Sequence, residues 1–111
     1  MDTIKINDKT YVCVDETNHA YVLIRSQNAG VHMGQLYERV GNVVTLVDAR
    51  RIWYWKGAFT LSEMSQKGVA NPDECKFSIA IPTITIFGVI EILPLSNNAK
   101  QSLYGVRNYE C

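Results

Sequence analysis

The sequence predicts a β-rich α+β domain: a strongly bent antiparallel sheet or small barrel of about seven strands with two short helices. Three observations carry this. The apolar period along most of the chain is two rather than 3.6. The strand-like runs follow one another with turn residues between them. The two helix-start signals fall late, so the alternating strand–helix–strand order of nucleotide-binding α/β folds is absent. At 111 residues the chain fits one domain, 1–111, with one modest core.

The elements follow in order. Residues 3–6 and 10–14 flank Asn7-Asp8-Lys9 and read as a hairpin, and 15–20 are polar and loop-like. Residues 21–25 are β-branched and aromatic, hence a strand, and Asn28-Ala29-Gly30 supplies turn chemistry. Residues 31–39 and 42–48 form a second hairpin around Gly41, with a bulge or close backbone approach expected at Gly34. Residues 50–55 read as a strand that places Arg51, Trp53 and Trp55 on one face and Arg50, Ile52 and Tyr54 on the other. Thr60 and Glu63 match a capping box for a helix ending at Gly68. Asn71-Pro72-Asp73 opens a turn. Residues 76–81 and 83–93 are β-prone, with breaks or bulges marked by Pro82 and Gly88. Ser96 caps a second helix that Gly105 closes.

Composition narrows the function classes. The 11 basic residues balance the 11 acidic ones, and six of each sign precede residue 56. No basic arm is present, so strong duplex DNA binding is not expected. The apolar stretch 79–95 contains two prolines and Glu91, so no membrane span or anchor is expected. The three cysteines, at 13, 75 and 111, are odd in number and widely spaced, which fits reduced thiols in a cytoplasm. No metal site and no cofactor are expected: phosphate-loop, dinucleotide, zinc-helix and nucleophile-elbow motifs are missing, and the histidines number two. No catalytic residue is assigned.

One segment stands out chemically. Ala49-Arg50-Arg51-Ile52-Trp53-Tyr54-Trp55-Lys56 holds both tryptophans, a tyrosine and three of the eleven cations. Guanidinium groups suit phosphates and stack on rings, and rings suit bases or partner side chains. The same residues also suit an ordinary core with Arg stems packed over aromatic edges. The second candidate is the turn at Gly30 with His32, next to Arg25. Glu91 is expected on the solvent face, opposite Ile90 and Ile92, or else buried in a pair with an arginine that would shape a pocket.

The blocks Tyr21-Val22-Leu23-Ile24-Arg25, Ala29-Gly30-Val31-His32-Met33-Gly34, Ala49 through Ala58 and Glu74-Cys75-Lys76-Phe77 together resemble an uncharacterised family of small bacteriophage and prophage proteins, the domain-of-unknown-function family 6948. The resemblance spans about residues 21–106. It implies a phage origin and the cytoplasm of an infected bacterium, and brings no activity or site residue with it. Small phage proteins of this kind commonly act by binding. The leading expectation is therefore a homo-oligomeric protein that sequesters a phosphate-bearing, nucleotide-type defence signal without turnover. Its ligand set would be Arg50, Arg51, Trp53, Trp55, His32, Gly30, Arg25 and Lys56. The alternatives are an inhibitor of a host protein, or a structural component, with the same aromatics as interface anchors, and a single-strand nucleic-acid binder.

Overall fold

A computed structural model describes residues 20–110. It contains β1 (Tyr21–Ser26), β2 (Gly30–Val40), β3 (Val43–Tyr54), α1 (Leu61–Lys67), a single 3-10 turn (Pro72–Glu74), β4 (Lys76–Phe77), β5 (Ile81–Ile86), β6 (Val89–Pro94) and α2 (Asn97–Tyr104). The expected hairpin at 3–14 lies outside the described residues. Among those described, six strands form one sheet in the order β4–β3–β2–β1–β6, with β5 on the same edge of β3 as β4. Every ladder is antiparallel.

The sheet bends because β5 and β6 are consecutive yet pair with opposite edges. β5 joins β3, β6 joins β1, and only Phe87 and Gly88 lie between them. A flat sheet could not bring its two edges to one turn. The corner is fastened by Gln27 N–H to the Gly88 carbonyl (3.0 Å), Val89 N–H to the Asn42 carbonyl (2.9 Å) and the Ser26 hydroxyl to the Phe87 carbonyl (2.7 Å). The curl is not closed, because no ladder joins β5 to β6.

The bent sheet buries both faces, which explains why β1 reads as an unbroken apolar run. Val22 and Ile24 point inside the curl with Leu36, Val44, Leu46, Ala49 and Ile86. Leu23 points the other way, to a core shared with Met33, Ile52, Met64, Phe77 and Leu103 under the two helices. Gly34 sits where β2 presses on β3: a Cβ there would lie 3.1 Å from both the Leu46 Cβ and the Val47 carbonyl oxygen. The close approach expected at this position is thus observed, together with a register shift between Met33 and Gln35.

Several expected boundaries move. Residues 42–48 and 50–55 are parts of one strand, β3, which continues through a bulge at Asp48. Asp48 adopts φ 52°, and its carbonyl accepts the Tyr104 hydroxyl at 2.6 Å. Pro82 lies inside β5 rather than breaking it. Pairing skips Asp48 and Pro82 and resumes on either side, so the missing proline N–H falls where the ladder is already interrupted. The 76–81 run divides into β4 and the start of β5, with Ser78 bonded to the Arg51 backbone between them. Gly88 divides the 83–93 run, as part of the turn between β5 and β6.

Both helices start as their caps predict. The Thr60 hydroxyl accepts the Glu63 N–H at 3.0 Å, and the Ser96 hydroxyl accepts the Ala99 N–H at 3.0 Å. The Glu63 carboxylate reaches one residue further than a capping box requires and accepts the Phe59 N–H at 2.8 Å.

Candidate functional site

The end of β3 decides where the candidate residues go. Arg50 and Ile52 face the helices, and Arg51 faces the opposite side with His32, its register partner on β2. Arg50 is 2% exposed. Its Nε donates to the Ser78 carbonyl (2.8 Å), Nη1 to the Leu103 carbonyl (2.9 Å) and Nη2 to Asn108 Oδ1 (3.1 Å), while the guanidinium lies 5.1 Å from the centre of the Phe77 ring. Burial lowers its pKa, but a guanidinium held by three acceptors stays charged. Arg50 is therefore a bolt between β3, α2 and the C-terminal segment. All three nitrogens of its head are engaged inside the protein.

Arg51 is half-buried. Its Nε donates to His32 Nε2 (3.1 Å), and its guanidinium carbon sits 5.3 Å from the centre of the Trp53 ring. Its two terminal nitrogens have no partner among the described residues. His32 is fully buried, and because Nε2 accepts, Nδ1 carries the proton; that atom has no hydrogen-bond partner among the described residues. Burial first, then the neighbouring Arg51 charge, lowers the His32 pKa from 6.5 to about 4.

A pH prediction follows from His32. Between about 4 and 6.5 the unfolded chain binds a proton at His32 that the folded chain does not, so folding stability falls as pH drops through that window. The loss amounts to about 3 kcal/mol across the whole window. His32→Gln keeps an acceptor for Arg51 and cannot titrate. Urea midpoints measured from pH 7 to pH 4 should fall less steeply in this variant than in the parent.

The other candidate residues separate. Arg25 pairs with Glu91 at 3.0 Å on the surface, in register between β1 and β6. Glu91 thus stays on the solvent side as expected: its arginine pair is exposed rather than the buried one considered, and it adds no more than about 1 kcal/mol. Lys56 pairs with Glu74 at 3.0 Å. Gly30 opens β2 at φ 80° and has nothing within 4 Å of where a Cβ would stand. Of the cationic residues singled out by sequence, Arg51 alone, among the described residues, combines unbonded terminal nitrogens with the lack of a carboxylate partner.

The expected single face for Arg51, Trp53 and Trp55 is not formed. β3 gains a residue on β4 between Ile52 and Tyr54 and ends at Tyr54. Past that bulge the alternation no longer holds, and Trp55 packs against the helix-side core. Trp53 is 64% exposed and Tyr54 51%. The chain then turns through 56–59, held by Lys56 N–H to the Cys75 sulfur (3.4 Å) and Ala70 N–H to the Gly57 carbonyl (3.2 Å). Cys75 is buried, and its thiol also reaches the Asn71 carbonyl at 3.4 Å, so it serves as a fastener of this loop.

The result is an aromatic platform. Trp53, Tyr54 and Trp55 line a hollow of about 310 Å³. Trp55 also lines a second groove of about 450 Å³ with Phe59, Glu63 and Asn71. Phe59 is 97% exposed. Sequence reasoning missed it, although a signal was present: Phe59 directly precedes the Thr60 cap, where an apolar side chain usually packs onto the first buried turn residue. Here that residue, Met64, is buried elsewhere in the core and Phe59 stays outside. Among the described residues, no group of three His, Cys, Asp or Glu side chains could hold a metal ion.

Comparison with known families gives one match. A family model covers residues 19–103, which includes β1 through most of α2 and every residue of the platform. The chain belongs to the domain-of-unknown-function family DUF6948. No curated protein and no solved structure matches it. Within this DUF6948 chain the matched region holds Arg50, Arg51, Trp53, Trp55 and Phe59. Asn108, which completes the Arg50 bolt, lies beyond it. No helix among the described residues is long and apolar enough to cross a membrane.

Proposed function

We propose that this DUF6948 chain is a non-enzymatic protein-binding module whose working surface is the platform of Trp53, Tyr54, Trp55 and Phe59. The observation that carries the reading is the exposure of these rings: four aromatics within seven positions, three of them more than half exposed. Exposed aromatic groups of this density are what protein interfaces use as anchors. The phosphate-ligand reading is weaker, because Arg50 is consumed inside the fold and Arg25 and Lys56 already pair with carboxylates. A nucleotide-type ligand keeps one specific support, the Arg51 guanidinium stacked on Trp53 with its terminal nitrogens open. The setting we infer is a phage-infected bacterial cytoplasm, with a host protein or another copy of the chain as partner.

The test uses the two tryptophans, which both lie on the platform and report on it directly. Titration with a purified candidate partner should change their emission. Trp53→Ala and Phe59→Ala should each weaken that complex by roughly 30-fold, as truncated anchor residues do. Both should leave the melting curve within about 0.5 kcal/mol of the parent, because the side chains are solvent-facing. Unaltered affinity in both variants would overturn the reading. A rise in melting temperature with cyclic nucleotides or ADP-ribose derivatives, lost in Arg51→Gln and with the ligand recovered unchanged, would establish the nucleotide reading instead.

A further inference from the structure

We infer that the outer edge of β5 pairs with the same edge of a second copy, antiparallel and across a two-fold axis at Ile84. This surface is separate from the aromatic platform.

Three strands stand at the margins of the sheet, β4 and β5 on one and β6 on the other. β4 has two residues, and its Phe77 carbonyl already accepts the Tyr109 N–H at 2.8 Å. β6 carries Glu91 in its ion pair with Arg25, and a hollow of about 380 Å³ lined by Arg39 and Asn42 runs beside it. β5 differs from both. It has six residues, Ile81–Ile86, and no charged residue occurs from 77 to 90. Asp48, the carboxylate beside Pro82, belongs to β3, one strand in from the edge. An edge strand without a charge is a template for another strand, and natural sheets commonly blunt such edges with lysine or proline.

The proline that β5 contains leaves its edge open. Val40 and Val43 close the β2–β3 hairpin on a two-residue turn, so their main-chain groups face each other. Alternation then turns Val44 and Leu46 toward β5, and their register partners Ile86 and Ile84 toward β3. Pro82 has the same parity as Ile84, so the N–H that it lacks falls on the β3 side. Thr83 and Thr85 turn their N–H and C=O groups outward, where no strand meets them among the described residues.

Two copies of this edge fit each other in one register. With Ile84 opposite Ile84 of the second copy, Thr83 stands opposite Thr85 of the second copy, and Thr85 opposite its Thr83. Both threonine pairs are then of the hydrogen-bonded type, each exchanging two main-chain bonds, and the isoleucines form the close pair between them. The same register lengthens rows of like side chains. Thr45 and Thr85 already meet on the exposed face, 3.3 Å between hydroxyl oxygens, and Thr83 of the second copy extends that row. On the other face Ile84, half-buried against the core inside the curl, gains its counterpart. Beyond these pairs Phe87, 67% exposed, comes beside Ile81 of the second copy. Six residues a side cover less than the roughly 800 Å² per partner of a standard interface, so association should fall in the micromolar range.

Sedimentation of the full chain tests this. The mean mass should rise with concentration from 12.5 kDa toward twice that value and no further, because a two-fold contact closes on itself. Thr85→Pro removes an outward N–H at a position where an edge strand accepts proline, and Thr83→Lys places a charge on the edge. Each should weaken the dimer at least about tenfold. Trp53→Ala and Phe59→Ala should leave it unchanged. Circular dichroism melts check that every variant is folded. Cysteine cross-linking reads the register, in chains that also carry Cys13→Ser and Cys111→Ser. Under mild oxidation Ile84→Cys should form a disulfide-linked dimer, because the two positions face each other across the axis. Thr83→Cys should not, because it lies about 7 Å along the strand from its own copy. A parent that stays at 12.5 kDa at every concentration, a dimer indifferent to both Thr85→Pro and Thr83→Lys, or cross-linking at 83 without cross-linking at 84 would each overturn the inference. A dimer lost in Trp53→Ala but kept in Thr83→Lys overturns it as well and assigns the contact to the platform.

Discussion

Arg50→Met should lose about 3 to 5 kcal/mol of folding stability, measured by urea denaturation at neutral pH. Methionine fills a similar path past the Phe77 ring but donates no hydrogen bond. The acceptors left behind include backbone carbonyls at Ser78 and Leu103, which no side-chain substitution removes. A buried acceptor without a donor costs about 1 to 3 kcal/mol, and Asn108 loses its partner as well. Against a total of about 5 to 15 kcal/mol for a typical domain, this is a large share. Arg50→Lys should recover less than half of the loss, because an ammonium head cannot reach three acceptors set apart by a planar fork. A loss below about 1 kcal/mol in Arg50→Met would show that the three bonds contribute little beyond what water supplies to the unfolded chain.

Gly57→Ala should cost about 3 kcal/mol and displace the platform as well. Gly57 holds φ 98°, where an L side chain is strained. A Cβ at this position would stand 2.4 Å from the Ala70 nitrogen and 2.6 Å from the Asn71 nitrogen, both backbone atoms that cannot swing aside. Relief requires the 56–59 turn to move away from 70–71, breaking the Ala70 N–H to Gly57 carbonyl bond. Trp55 and Phe59 flank that turn, so tryptophan emission should shift along with the melting temperature. Retention of the parent's emission spectrum and stability would show that the neighbouring backbone yields easily.

Most local features of the fold were legible because they depend on nearby residues. The Gly41 hairpin and the Thr60 and Ser96 caps follow from turn and cap chemistry within a few positions, and the close approach at Gly34 from a glycine inside a strand pattern. What escaped depends on residues far apart in sequence. Asp48 resembles the end of a strand, yet β3 continues through it, because the ladders to β2 and β5 resume beyond it and the Tyr104 hydroxyl, 56 positions away, takes up its carbonyl. Residues 76–81 resemble one strand and divide between β4 and the start of β5, since both pieces share a single edge of β3. The site was legible to the same degree. The pairing of Arg51 with Trp53 follows from strand alternation, and the core role of Arg50 was visible only as an opposite face. Its acceptors come from residues 78, 103 and 108, which no local pattern connects to it. Trp55 changes sides because of a bulge that forms only against β4.

The two-residue link between β5 and β6 acts as a leash on the sheet's curvature. Three peptide units separate Ile86 from Val89, so the two rims can part at that corner by no more than about 11 Å. The sheet cannot unroll while both rims stay attached. To flatten, it must peel β5 from β3 or β6 from β1, and either event uncovers Ile24, Leu46 and Ile86 together. Amide hydrogens on the two rims should therefore exchange at a common rate set by one shared opening, although they lie on opposite margins of the sheet.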